Sequence, residues 1–183
     1  MQFLKIAVLG VSLTSFVFAA GEAHYIGADK CAKMCHKAKT KGEQYGIWQK
    51  TKHAQAYTTL ATPAALETAK KAGVSGDPQK AGACLKCHVT GFEAAATLKD
   101  STYSDKEGIS CEACHGAGSN YAKLGVMKDK KASIAAGLTL PTEAVCVKCH
   151  NKESPNYKEF VFADMVKKIA HPKPPADSTA VKK

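Results

Sequence analysis

The pattern Cys-x-x-Cys followed at once by His occurs three times in this chain, at Cys84/Cys87/His88, Cys111/Cys114/His115 and Cys146/Cys149/His150. A fourth copy, Cys31/Cys35/His36, carries one extra residue between its thiols. Together the four copies use all eight cysteines. Residues three or four apart on a helix share a face, so each copy presents two thiols on one side with an imidazole next to them. Two such thiols can each form a thioether with one of the two vinyl groups on a porphyrin edge. The following histidine then reaches the iron from the same side. The pattern is the attachment signature of a c-type heme.

Zinc is the main competing use of such residues, since Cys84, Cys87, Cys111 and Cys114 have workable knuckle spacing. Zinc, however, does not require a histidine directly after each second cysteine. Only 7 of 183 residues are His, so four such placements by composition alone have odds on the order of one in a million. For Cys31 and Cys35 the alternatives are a local disulfide or a heme held by one thioether.

The N-terminus has the form of a signal peptide. Lys5 supplies the positive charge, Ile6 to Phe18 an apolar run, and Ala19 and Ala20 the small residues before cleavage. That run is shorter than the roughly 18 residues a membrane span needs, and the rest of the chain offers no candidate span. The expected organisation is a signal peptide at 1–20, one heme-binding domain at 21–171 and a disordered Pro/Lys-rich tail at 172–183. The compartment is then periplasmic or extracellular.

The fold class expected is mainly α: a small multiheme cytochrome of short helices and loops wrapped around four covalent hemes, with little or no sheet. Helical patterns run from about Glu43 to Leu60, Ala64 to Ala72, Lys128 to Ala136 and Phe160 to His171. Thr62-Pro63 reads as an N-cap with Pro at the first helical position, and Gly73 as a stop. Aromatic residues are 7% of the chain and apolar stripes are few. A chain this long would ordinarily bury a larger apolar core, so the porphyrins themselves must supply the interior.

The charge fits that reading. The formal net charge is +10, and every basic residue is Lys. Without the planar guanidinium of Arg, bidentate readout of phosphates and bases is disfavoured, and a nucleic-acid partner is not expected. Four hemes would bring about eight propionates to balance much of the Lys excess. A local Lys patch remains suited to steering an acidic redox protein.

Each iron has a second axial position. Four of the seven histidines belong to the motifs, leaving His24, His53 and His171 for four sites. At least one heme is therefore Met-ligated or five-coordinate, unless another group or chain intervenes. His53 and His171 are the favoured ligands, His24 a weaker one, and Met127 the best thioether. Met34 lies inside the first motif, and Met165 reads as helix packing.

Several stretches make the chain resemble the cytochrome c-554 family, named for a tetraheme carrier of ammonia-oxidising bacteria. They are the first motif followed by Trp48-x-x-x-x-His53-Ala, then Cys84-Leu-Lys-Cys87-His88-Val-Thr-Gly91-Phe92. Gly108-Ile-Ser-Cys111-Glu-Ala-Cys114-His115-Gly116-Ala-Gly118 follows. The last are the final motif with Asn151 to Pro155, and Phe162-Ala-Asp-Met165-Val-Lys. The resemblance implies a helical fold around four close hemes, some stacked in pairs, with mostly bis-His ligation and one five-coordinate site. It implies distal-ligand roles for His53 and His171. The chain departs from the family pattern in the extra residue of the first motif and in lacking a His after Gly118, where Met127 falls nearby. The function expected is electron transfer between redox protein partners, not catalysis. The alternatives are a nitrogen-oxide or peroxide reductase at an open heme, or a subunit of a heme filament or respiratory complex. Oligomeric state stays open.

Overall fold

The computed structural model describes residues 21–171; the expected signal peptide at 1–20 and the tail at 172–183 lie outside the described residues. The described chain is built from short helices. In order these are α1 (Ala28–Cys31), α2 (Gln44–Gln49), α3 (Ala56–Thr59), α4 (Pro63–Lys71), α5 (Gly82–His88), α6 (Cys111–His115), α7 (Leu124–Met127), α8 (Lys130–Ala135), α9 (Glu143–Cys146) and α10 (Phe162–Ile169). A π-helical turn, Ala32–His36, continues α1. The only pairing of extended backbone among the described residues is one isolated parallel bridge, Tyr25 to Lys99. The mainly α class expected from the sequence holds.

Local chemistry sets the helix ends. The Thr62 hydroxyl accepts from the Ala65 N–H at 3.2 Å and Pro63 opens α4. The Asp129 carboxylate accepts from the Lys131 and Ala132 N–H groups and caps α8. Both are N-cap contacts of about 1 kcal/mol. The helix expected over Glu43 to Leu60 is broken. Residues 51–55 form turns between α2 and α3, and the Thr51 hydroxyl bonds back to the Trp48 carbonyl at 2.7 Å. Such back-bonding by Thr offers the backbone an alternative to the helix ladder.

The apolar core is as thin as composition implied. Leu60, Leu85 and Val89 form its centre, with Tyr57, Cys84, Phe92 and Tyr103 around them. Much of the remaining order comes from buried carboxylates. Glu112, 1% exposed, accepts from the N–H groups of Ile26 at 2.9 Å, Gly27 at 2.8 Å and Gly118 at 2.7 Å. Glu107 accepts from the Ala28 N–H at 2.9 Å. Burial raises the Glu112 carboxyl pKa, and its three N–H donors pull it back down. These bonds bind the segment leading into the first motif to the third motif. Gly27 must stay Gly there: its φ is +81°, and a Cβ would stand 2.5 Å from the Thr102 carbonyl oxygen. Among the described residues, no helix is long and apolar enough to cross a membrane.

Candidate heme sites

Each motif sits on or beside a helix whose N-terminal residue begins or shortly precedes the first cysteine. The first motif absorbs its extra residue in the π-helical turn, which takes one more residue per turn than an α-helix. Cys31 and Cys35 therefore open on the same cavity, with His36 beside them.

Three motif histidines are fixed through Nδ1. His88 Nδ1 lies 2.7 Å from the Ala56 carbonyl and His115 Nδ1 3.0 Å from the Thr139 carbonyl. A carbonyl only accepts, so each Nδ1 carries the proton and Nε2 keeps its lone pair. His36 Nδ1 meets the Gln44 side-chain oxygen at 3.1 Å, and that amide is oriented by its own donation to the Lys41 carbonyl at 2.7 Å. This is the orientation an imidazole needs to ligate a metal through Nε2. The fourth, His150, is stacked on Phe160 with ring centroids 4.9 Å apart and planes 20° apart.

Two of the spare histidines stand against motif histidines. The His115 and His171 centroids are 6.0 Å apart with planes at 46°. Those of His53 and His150 are 6.0 Å apart at 76°. Burial and the neighbouring His150 both lower the pKa of His53, favouring the neutral ring. His53 lies in the turn between α2 and α3 rather than on the helix expected there. Its carbonyl accepts from the Ile109 N–H at 2.9 Å, and Trp48 Nε1 donates to the Ile109 carbonyl at 2.8 Å. The Trp48 and His53 signal thus marks one brace against the strand-like lead into α6. His24 is engaged elsewhere: its Nδ1 is 3.2 Å from Asp100, and its N–H donates to the Ser119 hydroxyl.

One almost wholly apolar cavity joins the first and third motifs. Cys31, Cys35, His36, Cys111, His115 and His171 line it, together with Met127 and the leucines at 124, 138 and 140. Leu124 is 60% exposed and Leu140 48% exposed. Large apolar side chains left open around paired thiols and an imidazole fit a flat hydrophobic group attached at those thiols. The donor set fits heme well.

The motifs also touch one another. The Cys31 and Cys111 thiols lie close enough for Cys111 and burial to push the Cys31 pKa up. The Cys146 thiol lies close enough to Cys114 to raise its pKa, behind the larger effect of burial. Cys149 is pushed up to about 12 by burial and by the nearby Cys87. Lys86 and Glu153 add a 2.7 Å surface ion pair between the second and fourth motifs. All eight cysteines are free thiols. Among the described residues, no group of three or more His, Cys, Asp or Glu is gathered around a point that a bare metal ion would occupy. The zinc arrangement therefore finds no geometry here.

Comparison with known proteins bears on these features directly. Residues 30–116 match the family model for cytochrome c554 and c-prime. Cytochrome c-554 of Nitrosomonas europaea is 30% identical over 155 residues, covering 76% of this chain. The chain belongs to the cytochrome c-554 family. Membership of a cytochrome c family implies covalently bound heme c. The aligned part spans 63% of the relative's own length. No solved structure matches this chain.

Sequence reasoning missed Gln44, Glu112 and Phe160. Phe160, ten residues after His150, had an apolar ring as its only signal. The other two are polar residues whose partners are identified by the fold alone.

Proposed function

We propose that this member of the cytochrome c-554 family is an exported tetraheme electron carrier whose four attachment sites form one continuous row. The proximity of thiols from different motifs supports the reading. Cys31 neighbours Cys111, Cys114 neighbours Cys146, and Cys149 neighbours Cys87. The order along the row is first, third, fourth and second motif. Heme, when bound, supplies a one-electron couple at its iron; the protein supplies spacing, ligation and exposure. His36, His88, His115 and His150 would be the proximal ligands.

His171 and His53 are the proposed distal ligands opposite His115 and His150. A metal–imidazole bond of about 2 Å on each side, plus the half-width of each ring, sets two imidazoles on one metal with centroids roughly 6 Å apart. Both pairs stand at 6.0 Å. The carbonyls of Ala56 and Thr139 hold His88 and His115 in the ligating tautomer. Gln44 does the same for His36, and Phe160 sets the ring plane of His150. The carrier works outside the cytoplasm after cleavage of residues 1–20, and its Lys-only basic surface suits acidic redox proteins.

The intact mass of the mature protein, made with heme maturation, tests the reading. Four heme additions on a chain lacking the first 20 residues are expected. Three would remove the first motif, and none would overturn the cytochrome reading.

One observation favours a second activity. With His53 and His171 paired and His24 held by Asp100, the histidines offer His88 no distal partner. A five-coordinate site there would bind small molecules such as nitric oxide. Binding to the reduced protein at one heme per chain supports this, and no binding removes it.

A further inference from the structure

The cavity between the first and third motifs holds two motif histidines, His36 and His115, and two further donors, His171 and Met127. His171 is set against His115. We infer that Met127 is the axial thioether ligand opposite His36, so that the first motif carries a His/Met heme within a chain of otherwise histidine-ligated irons. The inference rests on the heme reading above and assigns a ligand that reading leaves open.

Met127 is positioned, not adrift. Met127 closes α7. Its N–H donates to the Lys123 carbonyl at 2.9 Å. The preceding carbonyl, that of Val126, accepts from the Ser133 hydroxyl at 2.9 Å and from the Asp129 N–H at 3.0 Å. Ser133 is itself 1% exposed, so α7 is pinned onto the capped start of α8. Leu124 and Met127, three apart, occupy one face of α7, and both line the cavity. A methionine serving as gap filler is enclosed by protein atoms. This one instead fronts an apolar opening with a 60% exposed leucine beside it. A thioether is a competent axial ligand for heme iron, and a His/Met pair raises the reduction potential relative to ligation by histidine alone.

The test uses the full chain with hemes attached and compares wild type with Met127→Leu, Met127→His and His24→Ala. Intact mass is read first, and four hemes in every sample keep failure of attachment separate from failure of this ligand assignment. In the wild type, the ferric protein should show the thioether-to-iron charge-transfer band at the red edge of the visible spectrum. Its highest-potential heme should be the one that carries the band. Met127→Leu should abolish the band and add one high-spin heme by paramagnetic resonance. Met127→His should stay low-spin without the band, and its highest potential should fall. His24→Ala should leave all of these unchanged. A four-heme wild type lacking the band overturns the assignment. So does a Met127→Leu protein that keeps the band, or a His24→Ala protein that gains the high-spin signal.

Discussion

A carboxylate that accepts three backbone N–H groups in a buried setting is among the costlier single residues to remove from a small protein. Glu112 is such a residue, binding Ile26, Gly27 and Gly118. Truncation to Ala would strand three buried donors at about 1–3 kcal/mol each, before any relaxation. Glu112→Ala is therefore expected to lower stability by about 3 kcal/mol or more, seen as a large drop in melting temperature by circular dichroism. Glu112→Gln keeps one acceptor oxygen and should fall between the two. At this scale the sequence exposed some roles and hid others. The motif cysteines and histidines were legible because covalent attachment requires them side by side in the chain. His53 and His171 were singled out by elimination and through the family resemblance, and their ligand role is the proposal made above. Glu112, only one residue after Cys111, was not, because its partners lie 86 and 85 residues away on one side and 6 on the other.

Among the elements, the π-helical turn Ala32–His36 takes up the extra residue of the first motif, with a kink at Cys35 where φ and ψ leave the helical region. The upstream side is anchored through Ala28 to Glu107, and the downstream side through His36 to Gln44. Lys33 is exposed within the turn. Deleting Lys33 should convert the turn to an α-turn with Cys-x-x-Cys-His spacing. The expected protein keeps four hemes by mass and an unchanged visible spectrum; loss of one heme would show that the longer spacing is required. Element boundaries were only partly readable beforehand. Thr62-Pro63 and Gly73 marked the limits of α4 through local chemistry. The break at residues 51–55 was hidden, because what holds it open is the distant segment around Ile109, bonded to both His53 and Trp48. The mainly α class was readable from the helical patterns that run through the chain between loops.

For the molecule as a whole, the thin core around Leu60, Leu85 and Val89 means that attached hemes must contribute a large share of the buried apolar area. At about 25 cal/mol per Å² of apolar surface removed from water, each porphyrin face covered counts as much as several core side chains. The proximity of thiols from different motifs also ties the proposed cofactor order to the chain fold. In the proposed order the second motif in sequence stands last, and the exposed surface pair Lys86–Glu153 at that end adds little to stability.

The cavity shared by the first and third motifs draws its walls from Cys31, early in the described chain, to His171 at its end. During synthesis the first motif emerges well before Leu124, Met127, Leu138, Leu140 and His171, which help enclose it. Loading with heme can begin on an open chain, but closure waits for the segment that carries His171. A protein ending at residue 160 should carry all four hemes by mass and yet show one more high-spin heme than the full chain, since His115 would lack the ring at 171. A late-made residue, His171, thus acts as the latch on an early-made site.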